Sequence, residues 1–311
     1  MIKDIKGLHH VTSMAADANE NNTFFTDTLC MRRIKKTVNF DAPDVYHLYY
    51  GDEVGTPGSV MTYFPFPGMK RGTRGIGEVG VTEFAVPKGS LGYWQTKLAD
   101  KGLIRQKIET VFGETRLSFD GPDGDGFALV ETEDRGRTGW TGAGVPETAT
   151  VFGFNGARFS LHNAGATGEL LKFMGYQRGE TDGNLTRYVI EGGNAADTID
   201  LEELGGHSPM AGQGAGSVHH IAFAVDDREA QLRVREQLLH TGYQVTPVID
   251  RNYFWAIYFR TPGGVLFEVA TNEPGFDHDE DTAHLGQALK LPAQYEAQRA
   301  EIERTLPELA A

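Results

Sequence analysis

The sequence predicts an α+β fold in which four βαβββ modules build two domains of cup-shaped, mixed β-sheet. Three observations carry this. The order strand, helix, three strands repeats four times along the 311 residues. The first and fourth repeats open on one phrase, Leu8-His9-His10-Val11 and Val218-His219-His220-Ile221. A Gly/Thr-rich stretch at 135–150, RGRTGWTGAGVPETAT, then divides the repeats two and two. The expected organisation is 1–134 with modules at 7–67 and 76–134, a linker at 135–150, 151–272 with modules at 151–204 and 216–272, and a tail at 273–311.

Each element follows from its local pattern. In the first module LHHVTSMAA reads as a strand, and NENNTFFTDTL carries Phe24, Phe25 and Leu29 at helical spacing. RRIKKTVNF, VYHLYYGD and SVMTYFPFP read as three short strands. The second module reads EVGVTEFAV as strand and SLGYWQTKLADKG as helix, with strands near Lys107, at 114–120 and at 126–131. The third reads GARFSLHNA, the helix GELLKFMG, then YQRGETDG, LTRYVIEG and DTIDLEEL. The fourth reads VHHIAFAV, a helix DREAQLRVREQLLHTG entered through an acidic turn, then YQVTPVID, YFWAIYFRT and GVLFEVAT. In the tail the acidic run 277–281 reads as solvated loop, and 293–306 as a helix packed outside or at a subunit contact.

Composition narrows the function. A net charge of -14 argues against nucleic acid or an anionic membrane as partner, since both call for basic surface. The single cysteine, Cys30, allows no internal disulfide and fits a reducing compartment. The start, MIKDIKGLHHV, has no apolar signal core, and no run of about 18 apolar residues occurs. A cytoplasmic enzyme is the expectation.

Two paired βαβββ units can close a cup whose first and last strands face the hollow. On that plan modules one and four meet, and each gives one histidine to a metal. Strand neighbours face opposite sides, so one of each pair ligates. We take the second of each, His10 and His220, although alternation alone leaves the reverse choice open. The turn Thr261-Pro262-Gly263-Gly264 leads into Val265-Leu266-Phe267-Glu268-Val269, where a carboxylate sits in an apolar run. Burying it costs free energy unless it is paired or binds a metal. The matching stretch of module one, TPGSVMTY, puts Tyr63 there. Two imidazoles and one carboxylate with open positions form the facial triad of non-haem Fe(II) oxygenases, and ligand type leaves Mn(II) open beside iron. A lone buried histidine is more often a hydrogen-bonded core residue. The balance shifts because EVGVTEFAV and GARFSLHNA lack the pair while Glu268 stands in register. His162 and Glu131 fall out of register, so one metal site is predicted. Phe64, Phe66, Phe254 and Trp255 are candidates for an aromatic pocket, although strand aromatics are more often core.

These residues resemble a family. LHHVT, VHHIAFAV, RTPGGVLFE and the tail GFDHDED are similar to the vicinal oxygen chelate (glyoxalase/bleomycin resistance/dioxygenase) superfamily, and more narrowly to its ring-cleaving hydroquinone dioxygenases. The resemblance covers nearly the whole chain; HLYYGDEVGTPGSVMTYFP, PKGSL at 87–91 and the tail after 275 belong to this branch. It implies Fe(II) held by His10, His220 and Glu268, and a substrate pocket that includes His9, Thr12, His219, Arg251 and Tyr258. Arg251 is then expected to hold negative charge, and His9 or Tyr258 to move the proton; without the resemblance a surface ion pair and a packed aromatic would be the reading of Arg251 and Tyr258. The expected partners are a small aromatic diol and O2, and a homo-oligomer is compatible with the tail helix. Three alternatives remain on the same fold: an extradiol catechol dioxygenase, whose ligands come from modules three and four; a glyoxalase-like isomerase or transferase, which usually has four ligands; and an aromatic-binding protein without metal.

Overall fold

A computed structural model describes residues 1–309. The first module forms β1 (Leu8–Ala15), α1 (Ala18–Thr23), β2 (Arg32–Asn39), β3 (Ala42–Gly51) and β4 (Val60–Pro65). The second forms β5 (Glu78–Pro87), α2 (Leu91–Asp100), β6 (Gln106–Val111), β7 (Glu114–Asp120) and β8 (Gly126–Thr132). The third forms β9 (Gly153–Leu161), α3 (Gly165–Phe173), β10 (Gln177–Asp182), β11 (Leu185–Val189) and β12 (Thr198–Glu203). The fourth forms β13 (Val218–Val225), α4 (Arg228–His240), β14 (Ile249–Asp250), β15 (Phe254–Arg260) and β16 (Leu266–Pro274).

The strands make two eight-stranded sheets, ordered β14-β15-β16-β13-β1-β4-β3-β2 and β10-β11-β12-β9-β5-β8-β7-β6. Modules one and four share the first sheet, and modules two and three the second. The consecutive halves 1–134 and 151–272 are each split between sheets. In both sheets the modules join through their first strands, β1 antiparallel to β13 and β5 antiparallel to β9. One apolar core runs through both sheets, with Phe24 stacked on Phe127 at 5.6 Å and Phe159 against Phe267 at 5.6 Å. Each such side chain contributes about 1.5–3 kcal/mol by leaving water.

Helix ends and turns follow local chemistry. The Asp17 and Asp227 carboxylates accept from the Glu20 and Ala230 N–H groups, both at 2.8 Å, and so cap α1 and α4. Helix α1 continues into a π-turn, Phe24–Thr28, closed by the Leu29 N–H on the Phe24 carbonyl at 2.9 Å. The buried Gln231 of α4 donates to the Trp255 and Val269 carbonyls, clamping the helix over β15 and β16. The connectors before β5 and before β13 run side by side, touching at Thr73–Gly212 and Arg71–Ala215. They can approach only through glycine: a Cβ on Gly214 would lie 2.5 Å from the Lys70 carbonyl oxygen. Among the described residues no helix is long and apolar enough to cross a membrane.

Three local expectations are corrected. YQVTPVID forms a strand only at Ile249–Asp250; before that it touches β15 through the Thr246 N–H, which donates to the Tyr258 carbonyl at 3.0 Å. The run 277–281 is not simply solvated: Asp279 and Glu280 accept from the buried Lys35 ammonium at 2.7 and 2.6 Å, pinning the tail to β2. The region 293–306 begins as a 3-10 turn, Ala293–Gln298, and becomes α5 only at Arg299–Thr305.

Candidate metal centre

Pairing across the first sheet produces two equivalent rows of side chains on one face. His10 lies opposite Ala222, Ala222 opposite Glu268, and Glu268 opposite Tyr258. His220 lies opposite Thr12, Thr12 opposite Thr62, and Thr62 opposite Tyr49. The two rows are related by a local two-fold between Val11 and Ile221, which pair with each other. The counterpart of Glu268 is therefore Thr62 and not Tyr63. The turn before β4 is one residue shorter in effect than the turn before β16, so TPGSVMTY and TPGGVLFE do not superpose residue for residue. Tyr63 faces the other way and donates to the buried Asp125 carboxylate at 2.6 Å.

In the first row Ala222 is too small to fill the space between His10 and Glu268. His10 Nε2, His220 Nε2 and Glu268 Oε2 converge there: 3.4 Å between the imidazoles, 2.9 Å from His220 to Glu268 and 3.5 Å from His10 to Glu268. All three residues are buried. Although His220 is close, neither Glu268 oxygen meets a donor in hydrogen-bonding geometry among the described residues. A fully buried carboxylate without such a donor is costly. Three ligands at right angles on an ion with bonds near 2.1 Å would stand about 3 Å apart. The donor set thus fits a divalent cation, and it is the one such group among the described residues. In the second sheet the corresponding hollow is filled by ion pairs, Glu83 with Arg116 at 2.5 Å and Asp200 with Arg187 at 2.9 Å.

His9 and His219 depart from simple alternation. The β1–β13 register slips at both, so each is the extra residue of a β-bulge. The bulges swing their rings beside the following histidine, with Nδ1 to Nδ1 distances of 2.9 Å for His9–His10 and 2.8 Å for His219–His220. One proton bridges each pair; donated from Nδ1 of His10 and His220, it leaves their Nε2 lone pairs available to a metal. Burial pushes His9 down to about 3 and His219 down to about 4, helped in each case by the neighbouring histidine. Burial also lowers His220, against the pull of Glu268. Burial would raise the Glu268 carboxyl, but His10 and His220 outweigh it and hold it well below the usual range.

The centre opens on a cavity of about 350 Å³ lined by His10, His219, His220, Glu268, Arg251 and Tyr258, together with aromatic residues. Arg251 Nε donates to the Tyr258 hydroxyl at 3.2 Å, and its Nη1 lies 3.3 Å from Asp41. Burial and then the Glu268 charge keep the Tyr258 phenol protonated, against the pull of Arg251. Phe64, Phe66 and Phe254 line the cavity; Trp255 lies beneath Arg228 instead, at 4.8 Å. Two residues expected to touch substrate do not line it. His9 is buried behind His10 against Phe254, and the Thr12 hydroxyl is tied to that of Thr62 at 2.8 Å. The sequence reading missed His47, Tyr49 and Gln213, which do line the cavity. His47 and Tyr49 share a face of β3 by their spacing of two, a signal present in HLYY but one that any strand gives.

The model of the Glyoxalase/Bleomycin resistance protein/Dioxygenase superfamily matches residues 126–269. The chain is 42% identical to Bacillus subtilis MhqO, whose name describes it as a ring-cleaving dioxygenase, over 98% of this chain and 97% of that one. It is 35% identical to the chlorohydroquinone/hydroquinone 1,2-dioxygenase of Sphingobium indicum, over 97% and 96%. A Bacillus subtilis protein whose crystal structure is described as that of a dioxygenase superposes with a TM-score of 0.95 at 40% identity, over 99% of this chain and 98% of that one.

Proposed function

The chain belongs to the Glyoxalase/Bleomycin resistance protein/Dioxygenase superfamily, and from that premise we propose that it is a ring-cleaving dioxygenase that inserts both atoms of O2 into hydroquinone-type aromatics. The observation that carries this reading is a buried donor set of two imidazoles and one carboxylate, opening on an aromatic cavity of about 350 Å³. The names of the similar proteins support the reaction and the para-diphenol class. Fe(II) is the metal proposed for His10, His220 and Glu268; when bound it supplies positive charge that favours a phenolate, and the redox chemistry for O2.

The chain's own residues then have separate tasks. With a metal bound, Glu268 would serve as a carboxylate ligand and His10 and His220 as neutral imidazole ligands through Nε2. His9, outside the cavity, orients His10 and is assigned no proton transfer. Neutral His219 accepts from His220 at Nδ1, so its Nε2–H is directed outward as a donor to the cavity. Arg251 faces negative charge developing on the ring or its adduct. Its Nε–H occupies one lone pair of the Tyr258 oxygen, leaving the phenolic proton to donate to a substrate oxygen. Phe64, Phe66 and Phe254 enclose the ring and exclude water. A four-ligand isomerase would need a further donor, and the residue equivalent to Glu268 is Thr62, whose hydroxyl is committed to Thr12 and His47.

The test is oxygen uptake by anaerobically purified, Fe(II)-loaded protein with hydroquinone, methylhydroquinone and catechol. Uptake is expected with the para-diols, and His220→Ala and Glu268→Ala should each abolish bound iron. Full iron and full turnover in either variant would show that the metal is held elsewhere.

A further inference from the structure

The second row of the sheet carries a hydrogen-bonded string that has no task in the reaction above. Thr62, standing where the other row has Glu268, meets the Thr12 hydroxyl at 2.8 Å and His47 Nε2 at 2.9 Å. His47 Nδ1 in turn meets the Tyr49 hydroxyl at 2.8 Å. His47 and Tyr49 both line the cavity, and His47 packs on Phe64 with ring centroids 4.3 Å apart. Tyr49 is 1% exposed, so its hydroxyl does not face bulk water.

Every member of the string can both donate and accept. Run from Thr12 through Thr62 to His47 Nε2, it puts the proton on Nδ1, donates to the Tyr49 oxygen and leaves the Tyr49 proton unused. Run in reverse, it spends the Tyr49 proton on Nδ1 and leaves a lone pair on the Tyr49 oxygen. In either direction the cavity end holds one open hydrogen-bonding valence, of a sign that can adapt to a ligand. Tyr49 is also the two-fold counterpart of Tyr258, since each lies opposite the equivalent residue of its row, Thr62 and Glu268. The cavity therefore offers similar phenolic ends on two sides. A ring with oxygens at opposite ends matches that arrangement, and one with adjacent oxygens does not.

We propose that His47 and Tyr49 form the subsite for the distal hydroxyl of a 1,4-dihydroxybenzene, while the proximal oxygen is held by the row that carries Glu268 and Tyr258. This subsite selects para-diphenols over monophenols and ortho-diols, and it rests on the dioxygenase reading above.

The experiment is anaerobic calorimetry on the Fe(II)-loaded protein with hydroquinone, phenol and catechol. The wild type should bind hydroquinone roughly two- to tenfold more tightly than phenol, the range expected for one neutral hydrogen bond. Tyr49→Phe, which deletes one oxygen, should bring that ratio to near one and leave phenol binding within about twofold. His47→Phe should do the same, and His47→Gln, which keeps a donor and an acceptor, should restore part of the ratio. Near-UV circular dichroism identifies any variant that has lost its packing, and the remaining variants then decide. A ratio unchanged in the folded variants, with hydroquinone still turned over, overturns the subsite and leaves the dioxygenase reading standing. A wild type that neither binds nor oxidises hydroquinone overturns both.

Discussion

Lys35 is the strongest point at which to test how the tail supports the cavity. Its side chain is fully buried, and its ammonium lies 2.7 Å from Asp279, 2.6 Å from Glu280 and 4.8 Å from the Tyr253 ring centre. Lys35→Met keeps the stem but leaves two carboxylates facing each other, one of them, Glu280, only 4% exposed. Removing one side of a buried pair in this way costs about 3–5 kcal/mol. For a chain of this length each kcal/mol moves the melting midpoint by about 2 °C, so a fall of about 6–10 °C is expected. The damage should concentrate in the tail. Phe276 stacks on Tyr253 at 5.4 Å and packs on Tyr49 at 5.2 Å, so a released tail uncovers one wall of the cavity. Urea denaturation measures the loss, and limited proteolysis should cut first beyond residue 275. The triple change Lys35→Met, Asp279→Asn, Glu280→Gln removes all three charges and should recover most of the stability, because a neutral cluster carries little of the charge desolvation penalty. A single variant within about 1 kcal/mol of the wild type, with no new cleavage in the tail, would refute this account.

Other outcomes follow from the same geometry. Ala222→Val places methyl groups between His10 and Glu268; it should cost about 1–3 kcal/mol by overpacking and sharply reduce iron content, and full iron at wild-type stability would show that the gap is not needed. His9→Phe removes the partner of His10 Nδ1 and should weaken Fe(II) binding about 10–100-fold in a chelator competition, whereas unchanged affinity would make the bulge pair dispensable. Burial lifts the Asp125 carboxyl to about 6, against the hydrogen bond from Tyr63. Its folded-state pKa thus lies above the unfolded value near 3.9, so the native state binds more protons between about pH 4 and 6, and the ionised group destabilises the fold above that window. Asp125→Asn keeps an acceptor for Tyr63 and should gain about 2 kcal/mol on the wild type between pH 4.5 and 7.5 in urea titrations; a pH-independent difference would contradict the shift.

Much of the architecture is legible without coordinates, for a physical reason. Repetition of strand, helix and three strands is a local signal of hydrophobic period and turn chemistry, and helix caps such as Asp17 and Asp227 lie within a few residues of what they cap. The duplicated histidine pair and the isolated Glu268 are legible because buried polar groups in apolar strands are rare. Register is not legible in this way. A single-residue difference between two similar turns moved the counterpart of Glu268 from Tyr63 to Thr62, and no propensity reports such a shift.

The amino-acid order by itself determined the four modules and the residue types available for a metal, because periodicity and composition act over short stretches of chain. The pairing of modules one and four was also foreseeable from the duplicated histidines, but tertiary structure alone decided that Thr62 and not Tyr63 stands where the other row has Glu268, that bulges turn His9 and His219 toward their neighbours, and that Lys35 gathers the acidic tail. Those outcomes depend on which strands pair and in what register, and that pairing is set by the energy of the whole packed sheet.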